Sequence, residues 1–237
     1  MNSIQKDNRF VTEWGLLLRV GALAAWVTAL LIPVAIVSHM VWPPPPWAPG
    51  AVADWFVYIQ GNPFAGLLNL DFALEFGLVL SIPLYLALYV VLKQNNPSMM
   101  VIATSVALLG AFMHLLSNTA IEMMMLSEAH AAATSDMQRT VYLAAGEAML
   151  SSYYGMVFQV SYILGYIAYI IIGIVMRQGK LFSKSTANLG ILTGIAGFGF
   201  YLPKIGLMLS VLVVLLIGIW NVMVGCRLFQ LGKSNHG

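Results

Sequence analysis

The chain has 237 residues, 60% of them hydrophobic and 8% charged, with a formal net charge of +2. Roughly a quarter of an ordinary soluble domain is charged, so this composition cannot coat a water-facing globule. The positive excess is too small to point to nucleic acid as a partner, and the single Cys226 excludes an intrachain disulfide framework.

In chain order, a polar start carrying Lys6 and Arg9 leads into an apolar run over about 15–40. That run is longer than a signal-peptide core, and its exit, "SHMVWPPPP", lacks a small-residue cleavage site. It reads as a retained first span. Residues 41–69 form an outer loop that opens with "VWPPPPWAPG", a stiff polyproline spacer, and continues through Trp55, Phe56 and Tyr58. Those aromatics suit an anchor at the membrane interface, or a lid over an outer-facing pocket.

Span two covers about 70–92 and span three about 99–126. A second outer segment, 127–151, holds Ser135 and Gln138 in capping-box spacing. Met137, Val141, Ala145 and Met149 then recur every four residues, which predicts an outer amphipathic helix before span four. Span four, about 152–176, carries Tyr154, Phe158, Tyr162, Tyr166 and Tyr169 along one side, as helix contacts. Span five, about 186–203, is the shortest; its Gly190 and Gly194 form a GxxxG face suited to close helix approach, and to an oligomer. Span six covers about 205–227. Runs of this length match a hydrocarbon core of about 30 Å. The fold class expected is all-α, a single bundle of six transmembrane helices.

With the N-terminus inside, Lys6, Arg9, Arg19, Lys93, Arg177, Lys180, Lys184, Arg227 and Lys233 fall in inner segments. Only Arg139 and Lys204 fall outside. This positive-inside bias predicts that both termini are cytoplasmic.

The chemistry-bearing stretch is "HLLSNTAIE", residues 114–122. At four-residue steps His114, Asn118 and Glu122 make one drifting helical stripe about 12 Å long. Ionisable groups at this depth usually face the bundle interior or a wet cavity. Asp71 and Glu75 are also four apart and would form a matching face on span two, with Glu147 extending the cluster. These six residues are the candidates for binding a ligand or carrying a proton, with Glu122 at the centre. His39, His114, Glu75 and Glu122 are acceptable metal ligands. No HExxH or paired-histidine spacing supports a metal, and no cofactor is legible.

Ser117-Asn118-Thr119-Ala120 with Glu122-Met123 resembles a prokaryotic multi-pass membrane family of unknown function, domain-of-unknown-function family 4386. So do Gln138-Arg139, Ala145-Gly146-Glu147-Ala148, Tyr154-Gly155, Phe182-Ser183-Lys184, Gly190-Ile191-Leu192 and Arg227-Leu228-Phe229. The resemblance implies a six-helix protein of a bacterial or archaeal cytoplasmic membrane, without an established activity. Asn118, Glu122 and Glu147 lie in its motifs.

The leading expectation is an outer-facing polar pocket that binds a small or amphiphilic ligand, in a transport or sensing component embedded in the lipid bilayer. An intramembrane enzyme acting on a lipid-like substrate is one alternative, with a glutamate as general acid and His114 as base. A structural or partner subunit of a membrane complex is the other.

Overall fold

The computed structural model describes residues 3–233. Among them there are helices and connections but no strand. The helices are α1 (Ser3–Val41), α2 (Val52–Gly61), α3 (Pro63–Asn69), α4 (Phe72–Leu92) and α5 (Pro97–Ser117). They continue as α6 (Ala120–Ala132), α7 (Asp136–Tyr153), α8 (Met156–Gln178), α9 (Lys184–Gly197) and α10 (Gly206–Lys233). A 3₁₀ turn, Phe198–Tyr201, follows α9.

Five helical stretches are long and apolar enough to cross a membrane: Glu13–Val41, Phe72–Leu92, Pro97–Ala132, Asp136–Gln178 and Met208–Lys233. Their outward faces are apolar too. Leu30 and Leu116 are 65% exposed and Met208 is 68% exposed. This is the pattern of a multi-pass membrane protein whose solvent on those faces is lipid.

Sequence chemistry sets where helices begin. Asn62 precedes Pro63, and its side chain accepts from Ala65 N at 3.1 Å. Asn96 precedes Pro97 and accepts from Met99 N at 3.1 Å. Ser183 accepts from Thr186 N at 3.1 Å. Each side-chain oxygen satisfies an orphan N–H of a first turn, and proline at that position loses no bond.

Close approach at small residues fixes the helix register. A Cβ at Gly21 would lie 2.7 Å from Ala87 Cβ, and one at Gly225 would lie 2.6 Å from Trp26 Nε1. Both α4 and α10 therefore run antiparallel to α1, and Gly232 reaches back to Gly15 O. Gly110 packs on Ser161 O, placing α5 antiparallel to α8. The inner core joins these helices through Leu88, Met100, Ile172, Met176 and Trp220. A second core lies over one end, where Trp55, Phe56, Ile59, Leu70, Met123 and Leu150 hold α2, α3, α6 and α7 in a cap.

Several expectations are revised. The outer loop 41–69 is not continuously extended: α2 and α3 fold within it and pack on α6 and α7. The expected third span, about 99–126, is not one helix. α5 ends at Ser117, and α6 starts at Ala120. The expected fifth span divides into α9 and the 3₁₀ turn; α9 alone, with 14 residues, rises about 21 Å.

α7 begins where predicted, with Ser135 Oγ accepting from Gln138 N at 3.3 Å. Its inward side carries the buried Gly146, Leu150 and Tyr153, while Met137 is 80% and Val141 59% exposed. The Gly190–Gly194 face, expected to suit close helix approach, makes that approach within the chain. Gly190 meets the Trp220 indole of α10, and Gly194 meets the α8 backbone at Tyr166 O.

Gly194→Ala would place its Cβ 2.5 Å from that carbonyl oxygen. Thermal unfolding in detergent, followed by intrinsic fluorescence, should show a loss of about 1–3 kcal/mol. Gly165→Ala, whose Cβ meets nothing within 4 Å, should stay within about 0.5 kcal/mol of wild type.

Candidate functional site

Three helix breaks meet beneath the cap. The α3–α4 connection passes through Asp71, whose φ of 59° lies in the left-handed region that aspartate tolerates better than most side chains. The α5–α6 break falls at Asn118, with φ −71° and ψ 129°, followed by Thr119. The α7–α8 break falls at Tyr154-Gly155.

Asn118 spans two of these breaks. Its Oδ1 accepts from Ala120 N at 2.9 Å, a local turn that replaces the helical bond lost there. Its Nδ2 donates to Leu70 O at 2.8 Å and to Glu75 Oε1 at 3.0 Å. Tyr153 ties the third break to the first by donating to Asp71 Oδ2 at 2.6 Å.

Glu75, on the first turn of α4, is 8% exposed. Its Oε1 also faces His114 Nε2 at 3.5 Å, the outer edge of hydrogen-bond reach. Across that ring, His114 Nδ1 lies 3.3 Å from Ser161 Oγ, which itself donates to Phe158 O at 2.6 Å. With its hydrogen used there, Ser161 accepts from Nδ1–H. Nε2 and Oε1 then need one further proton between them to close their contact. Glu75 Oε2 is buried without a hydrogen-bond partner. The ring of His114 packs against the touching pair Phe158 and Tyr162, 5.5 Å from each between centroids.

Glu75, His114 and Asn118 thus form one set, with Asp71 and Tyr153 beside it through the shared α3–α4 connection. Glu122 does not belong to that set. The break at Asn118 ends the stripe, and Glu122 is exposed on the first turn of α6. Glu147 lies elsewhere, accepting from Gly50 N at 2.9 Å. His39 is exposed on α1, its Nδ1 3.0 Å from Ala35 O. Among the described residues no three His, Cys, Asp or Glu side chains converge as metal ligands would, and the set His39, His114, Glu75 and Glu122 does not assemble.

Sequence reasoning missed Ser161, Tyr153 and the Leu70 carbonyl. A backbone carbonyl has no sequence signal. The break itself had one: Ser117, Asn118 and Thr119 are three successive side chains that compete for backbone hydrogen bonds. Comparison of the chain with protein-family models, with curated proteins and with solved structures returns no match.

Asn118→Ala would leave Ala120 N, Leu70 O and Glu75 each short of a partner. A loss of about 1–3 kcal/mol is expected by thermal unfolding. Glu122→Ala, at an exposed position, should stay within about 0.5 kcal/mol.

Proposed function

We propose that this is a six-crossing protein of a prokaryotic cytoplasmic membrane that binds a small or amphiphilic ligand at an outer-facing polar site centred on Glu75, as a transport or sensing component. Membership of the multi-pass family that the sequence resembles is part of the same proposal.

The observation that carries the reading is Glu75 itself. A carboxyl group buried among membrane-type helices is costly unless it is paired or used. Among the described residues its ion-pair contact is a histidine, and its Oε2 has no partner. With one proton shared between His114 and Glu75, the pair can donate to a ligand or accept from it.

Six crossings are supported by the register of the helices. Gly15 on α1 lies beside Gly232 near the end of α10, which fits an even number of passages. α9 runs antiparallel to α8, from Gly173 against Ala187 to Gly194 against Tyr166. With the 3₁₀ turn it rises about 29 Å, close to a hydrocarbon thickness. Tyr201 OH then donates to Gln159 O near the start of α8. The basic end of the bundle, where Arg227 donates to Leu181 O and Lys93 lies over Trp14, is assigned to the cytoplasm.

A structural role for the cluster is the competing reading, favoured by how completely Asn118 satisfies the groups around it. Native mass spectrometry of the purified protein, wild type beside Glu75→Gln, separates the two. The ligand reading expects a bound small molecule on wild type that the folded variant loses. If neither form carries anything and only the melting temperature falls, the cluster is structural.

A further inference from the structure

Glu147 presents a feature that the Glu75 site does not absorb. It lies on α7, facing the segment that follows the four prolines, and Gly50 N–H donates to its Oε1. Its other oxygen, Oε2, is buried and has no hydrogen-bond partner. A carboxylate is an acceptor only, so this atom calls for a donor or a positive charge. The residue borders a cleft of about 190 Å³ together with Trp47, Pro49, Ser151 and Tyr154. No lysine or arginine lines it.

Two of the lining residues, Trp47 and Tyr154, are aromatic. The Trp47 and Tyr154 rings stand edge to face with centroids 4.7 Å apart, and Trp47 stacks on Tyr153 at 4.8 Å. Indole and phenol faces attract organic cations through the ring quadrupole. The prolines stiffen the chain that carries Trp47, so that little ordering is needed when the cleft is filled. A hard divalent cation would need about six oxygen ligands. A single lining carboxylate in a cleft with aromatic residues suits a softer, larger ion. The volume suits a head group rather than a whole lipid or a sugar chain.

We propose that the cleft between the polyproline segment and the α7–α8 bend binds a small organic ammonium ion. Glu147 holds its charge, and the Trp47 and Tyr154 rings cover its alkyl groups. The site is built from residues other than Glu75, Asn118 and His114, so it stands or falls independently of the function proposed above. Such an ammonium is offered by a free amine or by a choline or ethanolamine lipid headgroup.

The test is a titration of the full-length protein, in detergent without an ammonium group, with choline chloride, followed by tryptophan fluorescence. The neutral isostere 3,3-dimethylbutanol and sodium chloride serve as controls. Choline should give a saturable change at about millimolar concentration, at least tenfold tighter than the alcohol, a difference of about 1.4 kcal/mol. Sodium chloride should give none. Glu147→Gln keeps an oxygen for Gly50 N–H but removes the charge, and should weaken choline about tenfold or more.

Equal responses to choline and its neutral isostere in wild type would overturn the proposal without reference to any variant. So would a choline response equalled by sodium, or kept intact in folded Glu147→Gln. Repeating the titration in phosphatidylcholine and phosphatidylglycerol nanodiscs distinguishes the sources. A response lost only in phosphatidylcholine points to the headgroup, and one kept in both points to a free amine.

Discussion

A helix broken inside an apolar environment exposes backbone groups that water cannot reach, and each must find a partner within the protein. The break between α5 and α6 is where the molecule meets this constraint. Asn118 answers it by bonding forward to Ala120 N and sideways to Leu70 O. The same amide then holds Glu75 Oε1. One side chain closes a break, joins α5 to the α3–α4 connection and positions a buried carboxyl group. Tyr153 repeats the logic at the α7–α8 break through Asp71.

Because the breaks lie at one level, the helices beyond them can turn away from the bundle and form the cap. Its own core is aromatic and methionine-rich, and polar links fix it to the bundle. Ser38 on α1 donates to Asn69 Oδ1 at 2.9 Å, and Asn69 Nδ2 donates to Trp42 O at 2.6 Å. Within the cap, Ser127 donates to Phe56 O at 3.0 Å and Gln60 to Ser127 O at 2.9 Å. The polar set therefore sits at a junction between two packed bodies, a common place for a ligand site. Below it the bundle is drawn together by glycines, which let backbones meet where the hydrophobic effect gives helices in lipid no reason to associate.

Much of the site was legible because polar residues in apolar runs are conspicuous. Glu75, His114 and Asn118 were identified from their depth, and the structure brings them together. Glu122 leaves the His114–Asn118 stripe because the helical period does not run through residues that end the helix. Four-residue spacing places side chains on one face only while backbone geometry stays helical, and Asn118 is extended. The packed side of α7 escapes the sequence for another reason. Apolar spacing marks a face able to be buried, but the buried face holds Gly146, whose missing side chain admits Val52 and Phe56. A hydropathy pattern cannot register a contact made by an absent side chain.

By itself the sequence determined that the protein is helical and predominantly apolar, with several helices long enough to cross a membrane. These follow from composition, from caps such as Asn96 before Pro97, and from the cost of burying charge, all of which are local or additive along the chain. Only the tertiary structure decided that Glu75 pairs with His114 and Asn118 rather than with Glu122. It also decided that the Gly190–Gly194 face is filled by the chain's own helices, and that Glu147 looks onto an aromatic cleft. Those outcomes depend on where helices break and how closely backbones approach, and both are settled by partners distant in sequence.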